Sequence, residues 1–374
     1  MPETTPTAGR AGWPGLPLLP TTVVGSYPVP EWMERLKTDY FRGRMSNAQL
    51  RSMHEMAIKA ALRDQELAGI DIVSDGELRR DNDIDYFLAR VPGIEIAATA
   101  KDFYFDYYDA RLDAPIPAPD PLPVLGLADD FAFTAAQRAG PIKFSFTGPF
   151  SLSRRVRGEA YPERRELVLA LARTLNAEAR ALASRGARLL QIDEPFLAGY
   201  PEQVDTAIEA INVVVDGVDA QWALHVCYGN RYARPLWEGH YDFLFPAVLG
   251  ARVDQLVLEF ARKGYADLPV LAKFGWDRGV GLGVIDVKSP EVESAELVAR
   301  RIRAALELVP ADRLMINPDC GLRHLSETQA RAKLAAMVRG AAIVRAELSG
   351  LSANTAAEAR PQSRRRADTV QSVR

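Results

Sequence analysis

The sequence predicts a single-domain α/β protein built as a (β/α)8 TIM-type barrel. Short apolar, β-branched runs recur eight times along the 374 residues, and stretches with helical spacing separate most of them. A polar or reactive residue ends nearly every run, and the active sites of such barrels lie at the C-terminal ends of their strands. Length alone suits two average domains as well as one barrel. An open doubly wound sheet, which shares the alternation of strands and helices, is the competing architecture.

The eight apolar runs are predicted to pair as parallel strands, because helices alternate with them. Several runs are almost continuously apolar, as expected for a sheet that is covered on both faces. The predicted strands are Thr21–Ser26, Ile70–Asp75, Ile142–Thr147, Arg188–Asp193, Trp222–Cys227, Gln255–Phe260, Val280–Asp286 and Leu314–Asp319. The predicted helices include Ala48–Ala68, Glu163–Ser184, Pro201–Val215, Ser294–Leu308 and Ser326–Leu348.

A long insertion at 88–140 follows the second predicted strand. It contains the aromatic run Phe103–Tyr108 and the proline-rich run Pro115–Pro123, and we expect it to form a lid or a side structure. Composition also sets both ends of the chain apart from the repeat. The predicted division is a flexible segment at 1–20, the barrel at 21–350 and a disordered, Arg-rich tail at 351–374.

The composition is that of a soluble globular protein. Hydrophobic residues make up 48% and charged residues 25%, with 46 basic residues against 49 acidic ones, so no basic excess indicates a nucleic-acid partner. The segment Met1–Pro20 has no charged start followed by an apolar run, so we expect neither a signal peptide nor a membrane span. A cytoplasmic enzyme is the default expectation, and that compartment argues against a disulfide between the two cysteines.

The strongest local pattern is His225 and Cys227, which alternate on one predicted strand and therefore face the same side. The second cysteine, Cys320, follows the eighth predicted strand, and barrel closure brings all strand ends around one axis. His and Cys side chains are ligands that zinc prefers, and Glu259, near the end of the sixth strand, is the best fourth ligand. The three strand ends together predict a zinc site.

Buried structural cysteines are the plain alternative, since Cys is among the most buried residue types. The remaining histidines lack the same geometry: His54 lies in a helical run, and His240 and His324 lie in loops. A free thiol is only a few per cent thiolate at neutral pH, and zinc deprotonates a coordinated thiol. Thiol activation is therefore the favoured use of the predicted site, and water activation for hydrolysis is its rival.

Six motifs in order, each at a strand end, resemble those of the cobalamin-independent methionine synthase family, in particular its C-terminal catalytic barrel and its short single-barrel members. The likeness covers about residues 20–348. The motifs are Thr21 to Pro28, Asp75-Gly76-Glu77 with Arg80 to Asp83, Thr147-Gly148-Pro149, Gln191 to Pro195, His225 to Tyr228, and Asn317 to Leu322.

The resemblance implies a zinc-dependent methyltransferase that makes methionine from homocysteine. It implies zinc ligation by His225, Cys227, Glu259 and Cys320. It also implies that Ser26, Glu77 and Asp193 hold the amino-acid part of homocysteine, and the two carboxylates suit an ammonium group. By their position alone, these acidic residues could equally cap helices or pair with arginines.

The chain departs from the long members of the family on the side of the methyl donor. We expect no counterpart of their duplicate barrel, and Phe150 to Arg155 stand where the long members have a pterin-stacking tryptophan. Lys288 stands where they have a histidine proposed for proton transfer, so Lys288 and Asp193 are the candidate catalytic residues. The donor stays open between methyltetrahydrofolate, a methylated corrinoid protein and a donor supplied by a partner.

Two other functions fit parts of the pattern. The same family contains epoxyalkane–coenzyme M transferases, whose sulfonated thiol requires cationic groups such as Arg79, Arg80, Arg154 or Arg155. Glu77 and Asp193 favour homocysteine, because coenzyme M has no ammonium group. A third hypothesis makes the zinc structural and the chain a binding protein; it predicts that loss of either cysteine unfolds the barrel.

Overall fold

The computed structural model describes residues 15–96, 106–118 and 125–350. The predictions for 1–14, for Phe103 to Phe105, for Pro119 to Pro123 and for the tail at 351–374 lie outside the described residues. Within the described ranges, no helix is both long enough and apolar enough to cross a membrane.

The centre of the fold is a sheet of six parallel strands, in the order β3-β5-β6-β7-β8-β9. Each strand pairs with the next strand of the sheet along the chain, which confirms the predicted alternation of strands and helices. The strands are β3 (Lys143–Thr147), β5 (Leu189–Asp193), β6 (Gln221–Val226), β7 (Gln255–Leu258), β8 (Gly279–Ile285) and β9 (Leu314–Pro318).

The first two predicted strands are joined to this sheet by single bridges. Thr21 bridges Ile316 of β9, Thr22 bridges Ile72, and Val73 bridges Ile142 next to β3, all in the parallel sense. Side chains replace part of the backbone pairing here: the hydroxyl of Thr22 donates to the carbonyl of Ile72 at 2.9 Å. The bridges connect the two edge strands of the sheet through Thr21–Thr22 and Ile72–Val73, and full closure as an eight-stranded barrel stays a prediction.

Helices cover the sheet and carry the expected end signals. Ser46 and Ser326 each form a capping box with a glutamine three residues later, which satisfies backbone donors at the start of the helix. The predicted helix at Pro201 begins with a 3-10 turn, Pro201–Gln203, before the α-helix. The helices are α1 (Glu31–Phe41), α2 (Asn47–Ala68), α3 (Asp85–Leu88), α4 (Leu127–Ala135), α5 (Pro149–Ser153), α6 (Arg164–Ser184), α7 (Val204–Val215), α8 (Pro269–Lys273), α9 (Ala295–Leu306) and α10 (Glu327–Leu348).

The described part of the 88–140 insertion contributes to a second, small sheet. Its strands β1 (Glu95–Ile96) and β2 (Ala110–Arg111) pair with each other, and β2 pairs with β4 (Val156–Arg157). Tyr107, beside this sheet, lines the main cavity described below. The insertion is therefore a side structure that reaches the cavity, and its role as a lid stays a prediction.

The side of the sheet that carries the site residues is polar at several positions. A small cluster of Val24, Ala223 and Val257 lies apart from the main core. The paired positions Ser145, Gln191 and Ala223 share one row of the sheet, and Gln191 is fully buried. Polar side chains therefore lie on this face directly below the strand ends.

Candidate metal and substrate site

One cavity at the C-terminal ends of the strands collects most of the predicted site residues. Because successive parallel strands end at the same edge of the sheet, residues far apart in the chain meet there. Among those lining it are Ser26, Glu77, Asp193, His225, Cys227 and Cys320. The cavity also brings in Asn230, Arg231, Arg323 and His324, which the sequence patterns left without an assigned role.

His225, Cys227 and Cys320 form a compact group of ligand atoms. The atoms that each offers to a metal lie within 4.8 Å of one another, and the two sulfur atoms are 3.5 Å apart. Both cysteines are free thiols, with Cys227 buried and Cys320 partly exposed. The neighbouring Cys227 thiol, reinforced by burial, raises the pKa of Cys320 well above its usual range. A cation in this place would oppose that effect by favouring the thiolates.

The imidazole of His225 is oriented for ligation. Its Nδ1 donates a hydrogen bond to the carbonyl oxygen of Val257 at 3.0 Å, which leaves the lone pair on Nε2 available. Nε2 is buried and has no hydrogen-bond partner among the described residues. Burial alone would lower the pKa of His225, but the Cys320 sulfur, the Asp193 carboxylate and the Val257 carbonyl together outweigh burial and raise that pKa. An unsatisfied nitrogen beside two thiols fits a tetrahedral zinc site.

Glu259, the predicted fourth ligand, is engaged elsewhere. Its side chain is fully buried, with one oxygen 2.6 Å from Arg262 Nε and the other 2.7 Å from Lys288 Nζ. Its carboxylate is not part of the described group formed by the histidine and the cysteines. Burial would lower the pKa of Lys288, but the Glu259 carboxylate and the sulfur atoms of Cys320 and Cys227 together outweigh burial and raise that pKa. Metal ligation by Glu259 therefore stays a prediction.

Glu77 lines the same cavity and lies in a constrained turn. Its φ of 56° is in the left-handed region, which is unfavourable for a residue with a Cβ. Its Oε1 accepts a hydrogen bond from the hydroxyl of Ser145 at 2.7 Å and lies 3.4 Å from Arg80. Gly25 approaches closely, because a Cβ there would collide with the Glu77 carboxylate. The carboxylate is thus held by groups from several segments.

Asp193 and Ser26 complete the predicted substrate residues. Asp193 ends β5, and its Oδ1 accepts a hydrogen bond from Gln191 at 2.6 Å. Burial raises the pKa of Asp193 to about 7, although His225 acts in the opposite direction. The backbone carbonyl of Ser26 accepts a hydrogen bond from Leu322 N at 2.9 Å, beside Cys320. The cavity therefore unites the predicted thiol and amino-acid subsites.

Two buried carboxylates support the site from outside it. Asp319 accepts hydrogen bonds from the backbone N–H groups of Phe260, Ala261 and Arg262 at 2.8 to 3.0 Å. Glu194 accepts from the Ser151 backbone and hydroxyl at the start of α5. Burial raises the pKa of each carboxyl to about 7. Both lie within the quoted motifs, but the motifs alone do not reveal these backbone partners.

Lys143 is a buried amine that the sequence analysis did not single out. Its side-chain nitrogen has no hydrogen-bond partner within the part of the chain that the structure describes, and the residue is 3% exposed. Burial lowers the pKa of Lys143 to about 7, and the nearby charges of Asp193 and Glu77 oppose this only in part. The polar side of the sheet thus holds a titratable group near both pocket carboxylates.

The arginines considered for a sulfonate have other partners. Arg79 pairs with Asp130 at 3.1 Å, Arg80 with Glu77, and Arg155 with Asp109 at 3.4 Å. Arg154 lies over the ring of Tyr200. None of these four is among the described residues that line the cavity.

The other histidines also have their own surroundings. His54 is buried in α2, and His240 bonds to Asp267 at 2.6 Å. His324 lines the cavity and lies 3.0 Å from the carbonyl oxygen of Asn230. None of the three belongs to the group of possible metal ligands found in the described chain.

Comparison with known proteins gives consistent matches over most of the chain. The family model described as "Cobalamin-independent synthase, Catalytic domain" matches residues 19–343. The methionine synthase of Saccharolobus solfataricus is 36% identical over 335 residues, which cover 89% of this chain and 97% of that protein. The methionine synthase of Thermococcus kodakarensis is 37% identical over 336 residues, with 89% and 96% covered.

Solved structures agree with these matches. A B12-independent methionine synthase from Shewanella sp. W3-18-1, solved in complex with selenomethionine, superimposes with a TM-score of 0.76 at 29% identity. That match covers 89% of this chain and all of the other. A putative vitamin-B12 independent methionine synthase from Listeria monocytogenes, 22% identical with a TM-score of 0.65, supports the fold.

Proposed function

Because this chain belongs to the family of cobalamin-independent synthase catalytic domains, we propose that it makes methionine by transferring a methyl group to the sulfur of homocysteine. The observation that carries the proposal is one cavity that is lined both by a His-Cys-Cys group and by two carboxylates, Glu77 and Asp193. A substrate with a thiol at one end and an ammonium group at the other matches these two kinds of group.

We assign zinc to His225, Cys227 and Cys320, with Glu259 as the fourth ligand. The buried, unpartnered Nε2 of His225 and the close pair of sulfur atoms support this assignment. Bound there, zinc would keep a substrate thiol deprotonated at neutral pH. To join the group, Glu259 would have to offer an oxygen that Lys288 or Arg262 already contacts.

The chain's own residues position the substrate. Asp193 and Glu77 bind the ammonium group by charge-assisted hydrogen bonds, and Ser26 lies beside Cys320 to contact the amino-acid end. Holding the sulfur and the amino group at fixed places removes much of the entropic barrier to methyl transfer. Asp193 therefore contacts the substrate directly. The 2.7 Å contact between Lys288 Nζ and the Glu259 carboxylate favours a role in holding Glu259 over a role in proton transfer.

The alternative function, opening of an epoxide by coenzyme M, uses the same metal group. Arg231 and Arg323 line the cavity and offer positive charge. Both already face carboxylates, since Arg231 pairs with Asp106 and Arg323 lies 3.7 Å from Glu77. The acidic pair in the cavity favours an ammonium-bearing thiol over a sulfonate.

Metal analysis followed by zinc K-edge spectroscopy tests the proposal. We expect one zinc per chain, and the number of sulfur ligands should rise when homocysteine is added. A spectrum unchanged by homocysteine would contradict the proposal. Thermal shift gives a second comparison, because a ligand that binds the folded state raises the melting temperature. Stabilisation by coenzyme M but not by homocysteine would favour the alternative.

A further inference from the structure

Arg323 lies three residues after Cys320 and reaches across to the turn that carries Glu77. Its Nη1 donates to the carbonyl oxygens of Arg80 and Asp81, each at 3.1 Å. Its Nη2 donates to the carbonyl oxygen of Glu77 at 3.3 Å and lies 3.7 Å from the Glu77 carboxylate. The Arg323 side chain is 9% exposed. One guanidinium thus contacts four oxygen atoms of the Glu77–Asp81 turn.

Contacts from outside this turn are needed to maintain its conformation. Glu77 has a left-handed backbone conformation, and such strain persists only where surrounding groups determine it. Within the turn, the Glu77 N–H donates to Asp75 at 2.8 Å. Arg323 adds contacts from the opposite end of the chain. Its planar fork of donors suits several convergent carbonyl groups in a way that a lysine ammonium does not.

The segment 320–323 also contacts the other predicted subsites. Leu322 N donates to the carbonyl of Ser26, and a Cβ on Gly321 would collide with the Ser26 hydroxyl. Asn230 donates to the carbonyl of Gly321 at 3.1 Å. The same short segment therefore carries a sulfur of the metal group and contacts two residues of the amino-acid subsite.

We propose that Arg323 is a positioning residue that holds Glu77 at a fixed separation from the metal group and so selects thiol substrates that carry an ammonium group. Arg323 contacts Glu77 and acts through it. This inference rests on the proposed function, because it assigns the ammonium group to Glu77 and Asp193.

The test compares binding of L-methionine with binding of its des-amino analogue, 4-(methylthio)butanoate, by calorimetry on the zinc-loaded full chain. The variants are Arg323→Gln and Arg323→Lys. Arg278→Gln is the matched control, because Arg278 also binds several backbone carbonyls, those of Ala251 and Val253 among them, and does not line the cavity in the described chain. Zinc content and melting temperature are measured for every variant.

We expect the wild-type chain to bind methionine more tightly than the analogue. The selectivity ratio, which is the Kd of the analogue divided by the Kd of methionine, should fall at least tenfold in Arg323→Gln. Arg323→Lys should recover part of the ratio, and Arg278→Gln should keep it even if its melting temperature falls. A folded Arg323→Gln with the wild-type ratio would overturn the inference.

If Arg323→Gln does not fold, Arg323→Lys decides: a reduced ratio supports the inference and an unchanged ratio overturns it. If the wild-type chain does not distinguish the two ligands, the amino-acid subsite itself is wrong and the inference fails with it. The two failures are therefore distinguishable.

Discussion

The Glu259 carboxylate lies 2.7 Å from the Lys288 ammonium, and both side chains are at most 4% exposed. Arg262 contacts the other carboxylate oxygen and extends the pair to Glu238 at the surface. Removing one member of a buried ion pair leaves an uncompensated charge, which costs more than the pair contributes. Glu259 therefore has a structural task whether or not it also ligates a metal.

We predict that Glu259→Gln and Lys288→Met each lower the free energy of unfolding by about 3 kcal/mol. The double variant should recover much of this loss, because neither Glu259 nor Lys288 then leaves an unpaired charge. The recovery should be incomplete, because Arg262 still loses its contact with the Glu259 carboxylate. Urea unfolding of the four proteins measures the coupling. As a control, Asp242→Asn removes the exposed partner of Lys273 and should leave the free energy of unfolding nearly unchanged. Additive losses in the double variant would argue against the coupling.

Replacing either cysteine separates a catalytic from a structural metal. Cys227→Ser and Cys320→Ser should lose most of the zinc while the circular dichroism spectrum stays that of a folded α/β protein, because the core is extensive without the metal. Zinc content by mass spectrometry is the measurement. His240→Gln, which changes an exposed histidine, should retain the metal. Unfolding of both cysteine variants would support the structural-zinc hypothesis.

Asp193→Asn should weaken methionine binding by about 10- to 100-fold, because a hydrogen bond to a charged group contributes about 1.5–3 kcal/mol. The zinc content should not change, since Asp193 is not a member of the metal group. Calorimetry with methionine is the measurement, and Asp205→Asn, an exposed change in α7, is the control. Equal affinity in Asp193→Asn and the control would remove Asp193 from the substrate site.

The six central strands could be predicted because their apolar runs and separating helices are local features. The compact His225, Cys227 and Cys320 group could also be predicted, since strand alternation and strand-end position suffice to bring these three together. The partners of Glu259 could not, because Lys288 lies on another loop and no periodicity connects them. The hydrogen bonds from Arg323 to the Glu77–Asp81 turn join segments that are far apart in the chain, and a local sequence pattern does not reveal such contacts.

Lys143 shows a second reason why some features of the site could not be predicted from the sequence. Lys143 lies in a predicted strand that the structure contains, but an almost fully buried strand gives no local pattern that separates a covered polar side chain from an exposed one. Its burial follows from the packing around the sheet. The apolar character of the flanking residues therefore identified the strand but not the buried charge.

Lys143→Met should stabilise the protein, and the gain should depend on pH. The folded-state pKa of about 7 lies below the usual value of 10.5, so the unfolded chain binds more protons between these values. The contribution of Lys143 to the free energy of unfolding of the wild-type protein therefore rises as pH increases from about 7 to about 10. The variant should gain about 1–3 kcal/mol at pH 6, and the gain should shrink towards pH 10.

Urea unfolding of wild type and Lys143→Met at several pH values between 6 and 10 gives this difference directly. Lys273→Met, which alters a lysine that is 61% exposed, should give a difference that varies little over the same range. A gain that grows with pH would contradict the assigned direction of the pKa shift.

The bridge between Thr21 and Ile316, together with the hydrogen bond from Ile316 N to the carbonyl of Pro20, has a consequence for synthesis on the ribosome. The segment that carries Thr21 is synthesised before Leu314–Pro318, so its pairing is complete only after that strand has emerged. Until then, the nascent chain exposes an unpaired strand edge, which favours association with other chains. The pocket needs both Ser26 and Cys320, so it can form only after the residues up to Cys320 have been synthesised.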